Sequence, residues 1–407
     1  MRSETVVEKR LAVKTPLREK QTRLAGYATW LRTWASSPSG HIWLDATWVW
    51  LLTRAVFVAL TVLVPALLVS HTTASVPDPL HRWVSQDGTL IAAIAAHGYH
   101  PIWLAMMWPL MPLLEHAFAP AFHGDDGLVG LAIANAAFFG ALVALRALAE
   151  RELGAEAARR TVWYLALFPT AFYFFAPYTE SLFLLLAVSA FAALRAHRWA
   201  LAGLLGFLAT LTRSAGGLLV LPFAVEFYTA WRAGAVRKWQ ALWIALIPAA
   251  GALYSGYFWL MGRDPLAYVH AGAYWSHTLR WPWESLLAGF DGLGKSGHGD
   301  AIAVTHLALN LGASLLFIAL AVATLRRLPW SYGVFTVAVV VYFLSLGETG
   351  TYSAVAGNGR YVLMAFPAFM LLGLWGARRR VNELLLIGMP PLLALLAAHF
   401  LMQLASG

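Results

Sequence analysis

The sequence contains no cysteine, so it can form neither a disulfide bond nor a thiolate nucleophile nor a cysteine metal site. Charged residues are also scarce: they make up 12% of the 407 positions, whereas soluble globular proteins carry about 25%. Acidic residues number 20, against 29 basic ones, while hydrophobic residues make up 60% of the chain. This composition excludes an ordinary soluble domain and indicates an integral membrane protein.

The net charge of +9 does not indicate nucleic-acid binding, because the cations are grouped between apolar runs. Eight Lys and Arg residues lie within residues 1–40. The first apolar run begins near Trp48, which is too far along the chain for a cleavable signal peptide. We therefore interpret residues 1–45 as a basic cytoplasmic tail and residues 46–407 as a single transmembrane domain.

Apolar runs that approach the thickness of a bilayer predict an all-α, polytopic fold with about eleven transmembrane helices. Polar breaks divide two longer runs into hairpins, one at residues 178–181 and one at residues 212–214. We place the spans near 48–70, 127–149, 161–177, 181–195, 199–212, 215–231, 240–260, 301–325, 330–346, 361–377 and 384–403.

The basic residues predict how these spans are oriented. With the N-terminus in the cytoplasm, 23 Lys and Arg residues, Arg54 among them, fall on the cytoplasmic side and six on the other, as the positive-inside rule requires. Two long loops, 71–126 and 261–300, then lie outside. Amphipathic stretches such as residues 101–108 suit helices that lie in the membrane interface. We expect a multi-pass protein of the cell membrane whose outer loops roof a cavity.

Two acidic residues at the outer ends of spans are candidates for catalysis. Asp87 precedes a short apolar helix, where a partly desolvated carboxylate can act as a general base. Capping of that helix explains Asp87 equally well. Glu180 lies in the turn of a hairpin within the bundle, where an acid is costly unless it is paired or functional. Capping of the following helix is again the alternative.

Arg213 and Arg360 are the cations nearest the outer face within apolar surroundings. Guanidinium groups suit a lipid phosphate because they donate two parallel hydrogen bonds. Arg280 and Lys295 are weaker candidates of the same kind, and interfacial snorkelling is the alternative. The 13 histidines show no metal-site spacing, so we expect neither a metal nor a cofactor. The aromatic residues of the outer loops fit an interfacial belt or a surface that stacks on sugars.

Several motifs follow one another from about residue 82 to residue 370. The most specific is Y-T-E-S-L-F at 178–183, followed by L-T-R at 211–213. The first outer loop contains Gln86-Asp87-Gly88, Ile94-Ala95 and His97-Gly98-Tyr99. Further segments are W-P-L-M-P-L at 108–113, F-P-T-A-F-Y at 168–173 and R-Y-V at 360–362 with F-P at 366–367.

This succession of motifs resembles the PIG-V-like mannosyltransferases, a family that comprises the second mannosyltransferase of GPI-anchor assembly and its bacterial relatives. The resemblance implies a GT-C-like fold. It also implies inverting transfer of a hexose, mannose, from a polyprenyl-phosphate donor to a hydroxyl of a glycan or glycolipid acceptor at the extracytoplasmic face. Two positions depart from the family pattern: Gln86 replaces an aromatic residue, and Ile91 replaces a tyrosine.

The resemblance gives one residue its role, and the positions of the other charged and aromatic residues suggest the rest. Asp87 corresponds to the catalytic aspartate of the first loop, and Glu180 would orient it or bind sugar hydroxyls. Arg213 and Arg360 would hold the leaving phosphate. Further substrate contacts are expected from Tyr178, Tyr99, Trp83 and Arg280.

Two other functions stay open from the sequence alone. A transporter or flippase for lipid-linked sugars needs ionisable groups near the bilayer midplane, and the predicted spans hold almost none away from their ends. A non-catalytic relative that serves as an assembly partner is compatible with the altered residues Gln86 and Ile91.

Overall fold

The structure is a computed structural model that describes residues 40–68, 78–295, 301–348 and 354–402. Most of the predicted cytoplasmic tail, residues 1–39, lies outside the described residues, so its assignment stays a prediction. Residues Ala46–Gly407 form one compact unit. Apart from one short pair of strands, the regular elements in the described ranges are helical.

The α-helices, in chain order, are α1 (Gly40–Leu68), α2 (Asp87–His97), α3 (Leu110–Phe118), α4 (Asp126–Leu153), α5 (Ala155–Ala166), α6 (Glu180–Arg195), α7 (Trp199–Thr212), α8 (Val220–Arg232), α9 (Leu246–Leu260), α10 (Ala267–His270), α11 (Pro282–Gly294), α12 (Ala301–Arg327), α13 (Trp330–Ser345), α14 (Asn358–Tyr361), α15 (Phe366–Trp375) and α16 (Arg379–Leu401). Short 3-10 helices connect them at Pro79–Trp83, Ile102–Met106, Ala119–Phe122, Ala171–Phe174, Ser214–Leu219, Lys238–Ala245, Ala271–Trp275 and Val362–Met364. Strands β1 (His277–Leu279) and β2 (Leu346–Glu348) pair antiparallel, with Thr278 opposite Gly347.

The all-α prediction is confirmed, and a helix overlaps each of the eleven predicted spans. Five segments of the described chain are long and apolar enough to cross a membrane: Gly40–Ala66, Asp126–Leu153, Lys238–Leu260, Ala301–Arg327 and Arg379–Leu401. Shorter apolar helices, such as α7, α13 and α15, accompany them. These segments indicate a membrane protein. The count of eleven crossings and the side on which each end lies stay predictions.

The chain between α5 and α6 is not a continuous helix, because Pro169 and Pro177 interrupt it. Backbone groups freed in apolar surroundings need other partners. The carbonyl of Phe174 accepts a hydrogen bond of 2.7 Å from Arg54 Nη2, and the carbonyl of Phe175 accepts one of 2.9 Å from Asn135 Nδ2. Side chains of α1 and α4 therefore hold this irregular segment in place.

Arg54 lies in the middle of α1. This helix begins at Gly40 rather than near Trp48, so Arg54 is farther from its start than the predicted span implies. Its buried guanidinium donates to Asn135 Oδ1 at 2.8 Å and lies 4.5 Å from the ring centroid of Phe138. The described residues contain no carboxylate bonded to Arg54, and its partners are neutral: the amide oxygen of Asn135, the carbonyl of Phe174 and the hydroxyl of Thr53.

A glycine allows α15 to pack directly on α5. A Cβ at Gly373 would lie 2.3 Å from Thr161 Oγ1 and 2.5 Å from the carbonyl oxygen of Ala157. Arg160 Nε also donates to the carbonyl of Gly373 at 2.8 Å. This contact fixes the helix that follows the Arg360 segment.

We predict that Gly373→Ala lowers the thermal unfolding temperature in detergent, because the added methyl group meets backbone atoms that cannot move aside. Overpacking of this kind costs roughly 1–3 kcal/mol. Gly388→Ala in α16 is the matched control, since no atom lies within 4 Å of its Cβ position. Its unfolding temperature should stay the same or rise, because alanine favours a helix over glycine. Equal unfolding temperatures for the two variants would contradict the close approach.

Candidate functional site

Four separate segments bring two carboxylates and two guanidinium groups together. Arg360 donates through Nε to Glu180 Oε1 and through Nη1 to Asp87 Oδ2, the second contact measuring 2.5 Å. Arg213 Nη1 donates to the same oxygen of Glu180 at 2.6 Å. We call these four residues the Arg360 cluster. Its two negative and two positive charges balance, which makes its burial tolerable.

The cluster forms where helices begin or end. Asp87 is the first residue of α2, and Glu180 is the first residue of α6. The residues before them, Gln86 and Thr179, are the N-caps and make no side-chain capping bond. Both carboxylates bind arginine instead. Both acids also lie in the first turn of a helix, so the helix dipole and the arginines act on them together.

Glu180 is the most buried member of the cluster, with 1% of its side chain exposed. Its Oε1 accepts from both arginines, while its Oε2 is buried without a hydrogen-bond partner among the described residues. A buried carboxylate is costly unless cations accompany it. Glu180 is thus placed to hold Arg213 and Arg360 side by side.

The backbone just before Asp87 is held in an uncommon conformation. Gln86 has a φ of +50° and a ψ of −123°, a region that costs a non-glycine residue roughly 1–3 kcal/mol. The hydroxyl of Tyr178 lies 3.2 Å from the carbonyl oxygen of Ser85 and 3.3 Å from Gln86 Oε1, and donates to them. Tyr178 therefore ties the segment that carries Asp87 to the segment that carries Glu180. Gln86, the strained residue, is also one of the two positions that depart from the PIG-V-like pattern.

Aromatic rings surround the two cations. The Arg360 guanidinium carbon lies 4.5 Å from the ring centroid of Tyr178, 5.2 Å from Tyr173 and 5.8 Å from Tyr361. The same atom of Arg213 lies 5.5 Å from Tyr361. Cation–π contacts of this kind stabilise a partly desolvated cation. Some N–H groups of both guanidiniums have no hydrogen-bond partner in the part of the chain that the structure describes.

An apolar cavity of about 350 Å³ leads to the cluster. Arg360 and Tyr173 form polar parts of its wall, together with Asn310 and His306 of α12. The rest of the wall is mostly aliphatic and aromatic, and comes from α12, α15, α16 and the irregular segment before α6, with Phe168, Phe172, Leu309, Leu316, Leu372, Leu385, Met389 and Leu396 among its residues. The cavity therefore pairs an apolar wall with a guanidinium.

The other expected substrate contacts do not join the Arg360 cluster. Trp83 is fully buried in the core, where its Nε1 donates to Thr61 Oγ1 at 2.7 Å. Tyr99 lines a different, apolar cavity of about 750 Å³, and its hydroxyl donates to the carbonyl of Met107. Arg280 Nε donates to Thr278 Oγ1 beside β1. Substrate contacts by these three residues stay predictions, and Trp83 exposes no surface for one.

Three residues near the cluster did not stand out in the sequence. Tyr173 and Tyr361 lie within motifs described above and pack on Arg360.

Glu115 of α3 is buried, and both of its carboxylate oxygens lack a hydrogen-bond partner among the described residues. It packs against Gly130, where a Cβ would lie 2.3 Å from its Oε1 and 2.9 Å from Pro177. Burial, with a smaller contribution from Asp126, raises the pKa of Glu115 to about 9, so this acid is neutral at pH 7.

The Arg360 cluster predicts a strong coupling between Glu180 and Arg213. Glu180→Gln and Arg213→Gln should each lower the unfolding temperature, because each change breaks the ion pair between them and leaves the buried cluster with an unbalanced charge, at a cost of up to about 3–5 kcal/mol. The double variant should lose much less than the sum of the two single losses. The exposed pair Arg379 and Glu383, at 90% and 48% side-chain exposure, serves as the control and should show additive, small effects. Additive losses at Glu180 and Arg213 would contradict the ion pair.

The neutral state of Glu115 predicts a pH-dependent stability difference. Its folded pKa lies above the ordinary value of 4.5, so the folded state holds a proton that the unfolded state releases. Wild-type stability must therefore fall as pH rises from about 4.5 to about 9, by up to about 1.4 kcal/mol per pH unit. Glu115→Gln lacks this titration, so its stability relative to wild type should increase between pH 5 and pH 8.5. A pH-independent difference between Glu115→Gln and the wild type would refute the assignment.

No protein family model matches the chain, and no curated protein matches it. Among solved structures, the chain is similar to the apo oligosaccharyltransferase of Archaeoglobus fulgidus, with 15% identity and a TM-score of 0.46 over 88% of this chain and 56% of that one. It is also similar to the oligosaccharyltransferase AglB of the same organism, in complex with an inhibitory peptide and a dolichol-phosphate, with 15% identity and a TM-score of 0.41 over 88% and 55% of the two chains. The chain thus spans about half the length of these proteins, and likeness at this level does not assign an activity.

Proposed function

We propose that the protein is a membrane glycosyltransferase of the GT-C type that transfers a hexose from a polyprenyl phosphate to a hydroxyl acceptor with inversion. The donor class is supported by the cavity and the Arg360 cluster. Mannose as the sugar, and kinship with the PIG-V-like family, rest on the motifs alone. The extracytoplasmic position of the site rests on the charge distribution of the loops.

The observation that carries this proposal is the junction between the 350 Å³ apolar cavity and Arg360. A polyprenyl phosphate has an apolar chain that ends in a single anionic group. The cavity offers an apolar wall for the chain, and Arg360 offers a cation at its end. Burial of the polyprenyl chain against the apolar wall stabilises binding by about 25 cal/mol per Å² of apolar surface. The guanidinium binds the phosphate at the end of that chain.

The two arginines suit a phosphate that leaves during the reaction. Each guanidinium carries five N–H groups, and hydrogen bonds to Glu180 and Asp87 occupy few of them. When the bond between the anomeric carbon and the phosphate oxygen breaks, negative charge grows on that oxygen. Fixed donors that face the growing charge stabilise the transition state more than the ground state. Glu180 keeps both donors in position.

Asp87 suits the role of general base. One of its oxygens binds Arg360, and 23% of its side chain is exposed, so the other oxygen can accept a hydrogen bond from an acceptor hydroxyl. In the reaction the hydroxyl oxygen attacks the anomeric carbon, its proton passes to Asp87, and the polyprenyl phosphate leaves from the opposite face. One glycosidic bond forms as one sugar–phosphate bond breaks, with inversion at the carbon.

Donor binding and base activation are coupled through Arg360. In the structure Asp87 and Glu180 share this cation. An arriving phosphate adds a negative charge that competes with Asp87 for the same guanidinium. Since Glu180 binds Arg360 from a buried position, we expect Asp87 to give up the contact and become available to the acceptor. The base would thus be free only when the donor is present.

One observation bears on the transporter alternative. Arg54 is an ionisable group midway along a span, as that alternative requires. However, its guanidinium is buried among Asn135, Phe174 and Phe138, where it satisfies backbone and amide oxygens. This environment favours a structural role. Movement of a lipid-linked sugar across vesicles without a new glycosidic bond would favour the transporter instead.

We predict that Asp87→Asn lowers the transfer rate roughly 10²–10⁴-fold in liposomes that contain polyprenyl-phosphate mannose and an acceptor, because general bases contribute about that much. Asp291→Asn is the matched control, since Asp291 is 63% exposed and binds only Lys295 among the described residues. It should retain the wild-type rate.

The thermal unfolding temperature of each variant separates loss of the base from loss of the fold. Activity of Asp87→Asn within about threefold of wild type would remove Asp87 as the base. A folded wild-type protein that transfers no sugar from any polyprenyl phosphate would support the non-catalytic alternative.

A further inference from the structure

A third cavity, which has a basic wall, lies at the far end of α12. It has a volume of about 270 Å³ and is lined by Ala319, Val322, Ala323, Arg326, Arg327 and Trp375. Its three aliphatic residues lie on one side of α12, and the two arginines end the same helix. Trp375 is the last residue of α15. The cavity takes no part in the proposed transfer reaction.

The positive charge of this cavity is not balanced by nearby acids. Arg326 and Arg327 are exposed, and neither forms an ion pair with an acid in the described ranges of the chain. The next basic group, Arg378 to Arg380, begins three residues after Trp375. Within the described part of the chain, Glu383 binds only Arg379. The C-terminal dipole of α12 offsets about half a charge, so most of the charge of the two arginines is available to a ligand.

The cavity lies far from the Arg360 cluster along α12. Asn310 Oδ1 accepts a hydrogen bond from the backbone N–H of Gly359, next to Arg360. Arg326 lies 16 residues farther along the same continuous helix, which corresponds to about 24 Å at 1.5 Å per residue. That distance approaches the roughly 30 Å thickness of a bilayer core. The cavity is therefore near the membrane interface opposite the Arg360 cluster.

We propose that this cavity binds an anionic phospholipid, with the phosphate and headgroup on Arg326 and Arg327 and an acyl chain against α12. Ala319, Val322 and Ala323 leave an apolar groove because their side chains are small. Trp375 is 37% exposed at the rim, and tryptophan is enriched at the headgroup level of membranes. Charge complementarity favours an anionic lipid, since a zwitterionic headgroup brings no net negative charge to Arg326 and Arg327.

The test measures binding of fluorescent phosphatidylglycerol and phosphatidylcholine to the purified full-length protein in a neutral detergent. We expect the wild type to prefer phosphatidylglycerol. Arg326→Gln combined with Arg327→Gln should weaken phosphatidylglycerol binding about 30-fold, since each cation near the surface contributes about fivefold. Phosphatidylcholine binding should change much less.

Two further variants distinguish a built site from general surface attraction. Arg232→Gln with Arg237→Gln removes two exposed charges elsewhere and should change phosphatidylglycerol binding less than twofold. Ala319→Leu keeps both cations but fills the groove, and should also weaken binding. Equal losses for the two arginine pairs, or full binding by Ala319→Leu, would overturn the proposal. Unfolding temperatures near wild type establish that each variant is folded.

Discussion

Arg360 is bound by two carboxylates that lie 93 positions apart in the chain, Asp87 and Glu180. Each of these acids starts a helix, and Arg360 itself lies in a short helical turn between longer elements. Neither carboxylate could be buried alone at acceptable cost, and neither could the guanidinium. The arrangement of α2, α6, α7 and α14 therefore depends on their charges meeting at one point. The same meeting places Arg360 in the wall of an apolar cavity, where we propose that an anion binds.

The ion cluster in turn depends on backbone that is not helical. If α5 continued as one helix into α6, Tyr173 and Tyr178 would not both pack against the Arg360 guanidinium. The proline breaks release carbonyl groups, and Arg54 and Asn135 satisfy them from α1 and α4. Arg54, a buried arginine without an acidic partner among the described residues, thus supports a segment whose Tyr173 and Tyr178 face Arg360. Irregular backbone at such a depth is tolerated where protein groups replace the missing bonds.

Much of this arrangement could be predicted from the sequence. Hydropathy placed the span at 199–212 with the same bounds as α7, and the span at 330–346 within one residue of α13. The polar breaks at 178–181 and 212–214 predicted that Glu180 and Arg213 would lie at one end of the bundle, where they form an ion pair. These predictions succeeded because hydrophobic length and turn residues are local signals.

The rest depends on tertiary contacts that no local pattern encodes. Trp83 and Tyr99 belong to the same loop as Asp87, yet one packs in the core and the other lines a separate cavity. The path of that loop is set by long-range bonds, such as those from Tyr178 to Ser85 and Gln86. The predicted first span starts later than α1, because the helix extends back to Gly40 through polar residues such as His41 and Asp45. Glu115 gave no signal, because a buried acid and an exposed one look alike in a sequence.

The most direct test of the central claim is a structure of the full-length protein with a bound polyprenyl phosphate. The proposal predicts that the chain occupies the cavity between α12 and α16, and that the phosphate binds the free N–H groups of Arg213 and Arg360. It also predicts that Asp87 Oδ2 moves from 2.5 Å to beyond hydrogen-bond distance from Arg360, about 3.5 Å. A phosphate bound elsewhere, with the contact between Asp87 and Arg360 unchanged, would contradict the proposal.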